Sequence, residues 1–339
     1  MKILRTAVIG VGIQGENHIK AFKSHPLVEL VAVCDINEER LRVISEKYDI
    51  PNAYLDYNEM LKNHRLDLVS VATPDFLHFQ PVLAVLENKV NVLVEKPLAT
   101  RVEDALKMIE KAQENNVRLF VNFGNRFNPP FAVLKEKVTN GEFGKVLYSY
   151  VRLSDTIYVP TKMLSWSSKT SVVYFLMSHT ADLVRWIYGS EVESVRAYAH
   201  FEVLKSLGID TPDYVVAFLR FYNGSMAVLE SSWILPETYP SIVDFRAEFI
   251  GTKATSFINT TYQMIEISGK KFVYPRTYGA SELNGRFFGF VKESIHNIID
   301  SLLGNTTPFT SEEDAIANVK ILDAITKSYT INREVLVTK

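Results

Sequence analysis

Residues 7–15 read Ala-Val-Ile-Gly-Val-Gly-Ile-Gln-Gly, an apolar run that breaks into G-x-G-x-x-G. Gly10 permits a tight turn, Gly12 lets a bound group approach the backbone, and Gly15 lets a helix pack closely on the strand. That helix would present unpaired N–H groups and partial positive charge to a pyrophosphate, with Ile13 and Gln14 in the variable places of the loop. Asp35 stands 20 residues after Gly15, at the end of the next apolar run. A carboxylate there accepts from both hydroxyls of an adenosine ribose and repels a 2′-phosphate, so NAD is favoured over NADP. Arg40, close by, counts slightly the other way. Two further segments end apolar runs. Thr73-Pro74-Asp75 reads either as a ligand-lining loop or as a helix start with Thr73 as cap, and the two are compatible. His78 reads as a packed helix residue. In Val92-Leu93-Val94-Glu95-Lys96-Pro97, alternation sends Glu95 and Lys96 to opposite sides of a strand that Pro97 closes. A lysine at the mouth of such a crevice, beside a nicotinamide cation, is useful as a proton donor or acceptor, because burial and like charge disfavour its ammonium form.

These residues need a scaffold that brings strand ends together. Short apolar runs at 6–9, 28–34, 68–72, 90–94 and 119–121 alternate with helical spacing at 16–24, 37–48, 57–63, 77–87 and 102–115. Continuous apolar strands, each followed by a helix, are strands buried on both faces of a parallel sheet. With right-handed crossovers they give an α/β doubly wound Rossmann sheet whose ligands bind at the strands' carboxyl ends. After Phe127-Asn128-Pro129-Pro130 the texture changes to longer alternating segments separated by Asn223-Gly224 and Gly251-Thr252-Lys253 turns. This predicts an α+β domain with a largely antiparallel open sheet, a helix near 174–188, and closing helices near 286–303 and 311–329. The division is residues 1–125, an NAD-binding domain, and residues 126–339, the α+β domain.

Composition excludes several partners. With 37 basic and 39 acidic residues the net charge is −2, which leaves no cationic excess for nucleic acid. Apolar residues at 47% suit a chain with a sizeable core rather than disorder. No window approaches a bilayer span, and the start, with Lys2 and Arg5 before a stretch broken by Gly10 and Gly12, reads poorly as a signal peptide. Cys34, the single cysteine, sits in an apolar run as a core residue, so the expected compartment is the reducing cytoplasm. The seven histidines show no metal-ligand spacing, so no metal site is expected. Tyr158, Trp166, Tyr239 and Tyr278 fall in loops where an aromatic face could stack on a sugar ring.

In order, the G-x-G-x-x-G, Asp35, Thr73-Pro74 and Glu95-Lys96-Pro97 resemble the glucose–fructose oxidoreductase, inositol dehydrogenase and rhizopine catabolism (Gfo/Idh/MocA) family. The likeness continues through Gly124-Asn125-Arg126-Phe127, Gly141-x-x-Gly144, Ser232-Trp233 and Gly251-Thr252-Lys253, and so spans nearly the whole chain. It implies an NAD-dependent dehydrogenase that oxidises a secondary hydroxyl of a sugar, sugar acid or inositol-like cyclic polyol. Lys96 would polarise that hydroxyl and His179 would take its proton. Thr73, Pro74, Glu95 and Arg126 would line the nicotinamide side, and Trp166 and Asp182 would join Lys96 and His179 around the substrate. The resemblance also assigns substrate binding and oligomerisation to residues 126–339 and implies a homodimer or homotetramer. Members typically carry Asp-x-x-x-His-x-x-Asp on a helix of the second domain; here His179 and Asp182 match and Phe175 replaces the first acid. Two alternatives belong to the same fold: a glycoside hydrolase that uses bound NAD transiently, and a non-catalytic dinucleotide-binding regulator.

Overall fold

The computed structural model describes residues 2–337. The chain forms two compact units, Met1–Phe127 with Gly279–Ile316, and Asn128–Tyr278 with Ala317–Lys339. The first contains strands β1 (Leu4–Ile9), β2 (Val28–Cys34), β3 (Asn52–Tyr54), β4 (Leu68–Val71), β5 (Asn91–Glu95) and β6 (Leu119–Asn122). Its helices are α1 (Ile13–Ser24), α2 (Glu38–Lys47), α3 (Tyr57–Asn63), α4 (Phe79–Glu87) and α5 (Val102–Glu114). The sheet runs in the order β3-β2-β1-β4-β5-β6 and every pairing is parallel. The central strands are apolar on both sides because helices cover both faces; β4 and β6 are buried throughout. The order reverses between β1 and β4, which opens a crevice at their carboxyl ends. The three-residue β3 was absent from the expected strands, since so short a polar-flanked run carries no periodic signal.

The observed units depart from the expected division at residue 125 in that the chain leaves the first unit after Phe127 and later returns to it. Residues 279–316 belong to the first unit, not the second. Helix Phe290–Leu302 lays Ile295, Ile298 and Ile299 into the same core as Leu4, Ile19, Phe22 and Leu93, beside α1. Periodicity shows that this helix has an apolar stripe, not which layer the stripe covers. Arg286–Phe288, expected as the start of that helix, instead pairs as a strand with Ser281–Leu283.

The second unit begins with α6 (Pro129–Thr139) and contains β7 (Val146–Asp155), α7 (Ser178–Tyr188), β8 (Val192–His200), β9 (Tyr214–Phe221), β10 (Met226–Ser232), β11 (Val243–Gly251) and β12 (Thr255–Asn259). The sheet order is β12-β11-β7-β10-β9-β8, closed by the short strand Val335–Leu336. All pairs are antiparallel except β7 with β10. Alternation puts Val151, Leu153, Ala217, Leu219 and Leu229 into a core with α7, while Tyr148, Tyr198, Phe218 and Met226 stand exposed on the other face. Helix Glu312–Ile331 starts with a reciprocal capping box: Asp314 N–H donates to Ser311 Oγ and Ser311 N–H to an Asp314 carboxylate oxygen, each 3.1 Å.

Candidate active site

The glycine loop is built by steric necessity. Gly10 has φ +86°, and a Cβ there would lie 2.8 Å from the carbonyl carbon of Ala72. A Cβ on Gly15 would lie 1.8 Å from the Gly10 oxygen, so only glycine lets α1 approach β1 this closely. Gly12, by contrast, faces open space: nothing lies within 4 Å of its ideal Cβ, and it caps α1 without a side chain. The first turn of α1 therefore keeps its N–H groups for a phosphate, with Ile13 exposed at its edge. At the end of β2, Asp35 takes a hydrogen bond from Val11 N–H and one from Asn37 N–H, both 2.8 Å. Two backbone donors thus aim its carboxylate beside the loop.

At the end of β4 the hydroxyl of Thr73 is buried without a hydrogen-bond partner. The helix-start reading of this segment is not what forms: Pro74 precedes a single turn, Asp75–Leu77, whose first N–H partner is the Asp75 carboxylate, on Phe76 at 2.8 Å. A buried, unpaired hydroxyl next to the crevice fits a polar ligand group. His78 is buried and spans two loops, with Nε2 2.9 Å from the Thr73 carbonyl and Nδ1 2.9 Å from the Pro97 carbonyl. Burial pulls its pKa below the usual histidine value, against the opposing charge of Asp75. A neutral ring has one N–H and donates to one of these carbonyls at a time. His78 is thus the packed residue it reads as, and a brace between the Thr73-Pro74 and Lys96-Pro97 segments, the latter joined by a cis peptide.

Glu95 is turned into the unit's interior. Its Oε1 accepts from His18 Nε2 and Asn122 Nδ2, both 2.8 Å; His18 Nδ1 shares a 2.6 Å hydrogen bond with Ser70 Oγ, and Ser294 Oγ donates to Asn122 Oδ1 at 2.9 Å. Burial alone would raise the carboxyl pKa, but the His18 bond, the Lys96 charge and Asn122 hold it at about 2. The carboxylate expected on the nicotinamide side thus has an oxygen committed to a bracket joining α1, β4, β5, β6 and helix Phe290–Leu302. Arg126 is likewise buried, and its Nη1 donates to the Phe309 carbonyl at 2.8 Å and to Asp314 at 2.9 Å. His18, Asn122 and Ser294 were missed as site residues. For His18 a signal existed: it shares the buried face of α1 with Gly15, Ile19 and Phe22, where a polar side chain needs a partner.

Within the second unit, a π-helical turn Val173–Met177 leads into α7. Such turns recur at functional sites. His179 and Asp182 lie three residues apart on α7, Asp182 buried and His179 part-buried. Phe175 packs its ring 5.5 Å from Trp233 and 6.1 Å from Trp166, so an aromatic group occupies the place of the missing acid. Of the loop aromatics, Tyr239 is committed to Asp244 at 2.8 Å, and Tyr278 is 38% exposed. The expected residues thus form two sets. Gly10, Gly12, Gly15, Asp35, Thr73, Pro74, Glu95 and Lys96 gather at the strand ends of the first unit; Trp166, His179 and Asp182 belong to the second. Among the described residues no cluster of His, Cys, Asp or Glu could hold a metal ion, and no helix is long and apolar enough to cross a membrane.

Comparison with known proteins adds to this geometry. A profile described as an oxidoreductase family, NAD-binding Rossmann fold, matches residues 4–123, and its C-terminal alpha/beta domain matches residues 135–337. The chain is 32% identical over 255 residues to myo-inositol 2-dehydrogenase of Thermotoga maritima, covering 75% of each chain. It is 27% identical over 336 residues to scyllo-inositol 2-dehydrogenase (NAD(+)) of Bacillus subtilis, covering 96% of this chain and 94% of that one. The crystal structure of myo-inositol 2-dehydrogenase from Lactobacillus plantarum superposes with a TM-score of 0.88 at 20% identity, covering 99% of this chain and 100% of the other, a likeness of fold.

Proposed function

The chain belongs to the Gfo/Idh/MocA oxidoreductase family, and on that premise we propose that it oxidises a secondary hydroxyl of a cyclic polyol of the inositol type, or of a related sugar, with NAD. The unpaired Thr73 hydroxyl, the open side of Gly12 and the uncapped first turn of α1 suit a bound dinucleotide. When bound, NAD supplies the hydride acceptor. Lys96 hydrogen-bonds the reacting hydroxyl and polarises it; His179 accepts its proton, and Asp182 and Trp166 contribute to holding the substrate. Gly10, Gly12 and Gly15 with Ile13 and Gln14 hold the pyrophosphate, Asp35 the adenosine ribose, and Thr73 and Pro74 the nicotinamide side. Glu95 and Arg126 act from behind that surface. The observation that carries the reading is the Glu95 bracket: five elements fix the residue adjoining Lys96 at the carboxyl end of β5, a large investment of buried polar groups for a strand terminus.

The test is NADH formation from NAD with myo-inositol, scyllo-inositol and a panel of sugars and sugar acids. Absorbance that rises in proportion to substrate consumed is expected. Sugar release without net NADH would replace this reading with the hydrolase, and NAD binding without turnover on any compound would replace it with the regulator. The proposal includes a homodimer or homotetramer through the outer face of the second unit's sheet, supported by Tyr148, Tyr198, Phe218 and Met226, each 41–51% exposed there. Light scattering on the wild type is expected to give a multiple of the 38.5 kDa chain mass, and Phe218→Glu to reduce it to one chain; a monomeric wild type would sink this part. The cytoplasm is the compartment proposed, on the strength of a single, buried cysteine, Cys34.

A further inference from the structure

Arg40 looked like the one feature of the sequence that welcomes a 2′-phosphate, and its position bears that out only in part. Its Nε donates to the Val11 carbonyl at 2.9 Å, and Val11 is the residue whose N–H is held by Asp35. The guanidinium and the carboxylate assigned to the adenosine ribose therefore hold the carbonyl and the N–H of one residue, Val11. Its Nη2, however, donates to Glu16 Oε2 at 2.6 Å. The other oxygen of Glu16 takes Lys47 Nζ at 2.7 Å and the Tyr48 hydroxyl at 2.8 Å. Glu16 follows the last glycine of the loop and stands in the first turn of α1, where the helix dipole favours negative charge. Burial would raise its pKa, but the bonds from Lys47, Tyr48 and Arg40 hold it at about 2, so it is ionised at any working pH.

The geometry points to Glu16 as a cofactor-specificity residue: it sequesters Arg40, the cation bonded to the glycine loop at Val11, which would otherwise attract the 2′-phosphate of NADP. Asp35 repels that phosphate directly, and Glu16 removes the charge that could offset the repulsion. This rests on the NAD reading above and extends it, since Glu16 needs no contact with the dinucleotide. An Arg near the ribose site is what accommodates a 2′-phosphate in NADP sites. Here that Arg is present and is neutralised by a side chain that a local motif search passes over.

Glu16→Gln keeps the shape and removes the charge. Titration with NADPH and NADH, followed by nucleotide fluorescence without substrate, should show the ratio of their affinities moving about tenfold toward NADPH, the worth of roughly one charge-assisted contact. That gain should shrink as salt is raised, because the freed guanidinium is part-exposed. It should vanish in Glu16→Gln/Arg40→Gln. Arg40→Gln alone offers a second reading that leaves Glu16 intact: with the guanidinium already neutralised, NADPH affinity should stay within about twofold of wild type. An unchanged nucleotide ratio in Glu16→Gln, or a large loss of NADPH affinity in Arg40→Gln, would overturn the assignment. Because binding is read without turnover, failure of the polyol reading leaves these outcomes interpretable, and failure of the Glu16 assignment leaves turnover on inositols untouched.

Discussion

Lys96→Met is expected to lower kcat for NADH formation by about a thousandfold, within the usual range for losing a positioned proton-handling group, while NAD affinity changes by less than about threefold. Methionine keeps the length and apolar stem of lysine and removes its three donors, so the change isolates the ammonium or amine. The size of the effect follows from how firmly the segment is held. Glu95, one residue earlier on β5, is locked by His18 and Asn122, and the Pro97 carbonyl, one residue later, lies 2.9 Å from His78. A side chain anchored from both neighbours spends little time away from its working position. Single-turnover mixing with a C-deuterated substrate would check the step: the variant should show hydride transfer as rate-limiting, with an isotope effect larger than in wild type. A variant that keeps more than about a tenth of wild-type kcat would remove Lys96 from the chemistry.

How much of this was legible in the sequence depends on how local each constraint is. Gly15 is readable because a Cβ there meets the backbone of Gly10, five residues earlier, whereas Gly10, whose Cβ would meet Ala72 across 62 residues, is readable only through the glycine spacing itself. The opposite directions of Glu95 and Lys96 are readable from strand alternation alone. What Glu95 touches is not. Its partners His18 and Asn122 lie 77 and 27 residues away, and Ser294 reaches Asn122 across 172 residues. These distances in sequence close only once the sheet order and the return of helix Phe290–Leu302 to the first unit are known. What Arg126 touches is hidden in the same way: Phe309 and Asp314, which its Nη1 meets, lie 183 and 188 residues away. Thr73 separates two readings that its type leaves open. Its type suits a helix cap, but the first turn begins after Pro74, and the hydroxyl is left unpaired instead. In the second unit the pattern located α7 and the His179–Asp182 spacing, yet gave no sign of the π-helical turn that precedes them, because periods of 3.6 and 4.4 cannot be told apart over five residues.

Glu95→Ala should destabilise the first unit by about 3 to 5 kcal/mol at pH 7, the usual cost of removing one partner from a buried ionic group. Alanine leaves the His18 and Asn122 N–H donors buried and unanswered, in addition to a cavity. The pH dependence separates charge from volume. Folded, the carboxyl titrates at about 2; unfolded, near 4.3. A depressed carboxyl contributes stability that is fully present above the unfolded pKa and is lost as pH falls through the folded one. A shift of about two units corresponds to about 3 kcal/mol at neutral pH. Urea unfolding of wild type and Glu95→Gln, followed by a probe in the first unit, should therefore show a gap of about 3 kcal/mol at pH 7 that narrows below pH 4 and is mostly gone near pH 2. Comparing the two variants at one pH removes the contributions of the other acids, which titrate alike in both. A gap that stays constant with pH would mean that Glu95 is held for its shape and not its charge. The charge of Lys96 would then lack its buried counterpart, and the bracket would no longer support a proton-handling role at the end of β5.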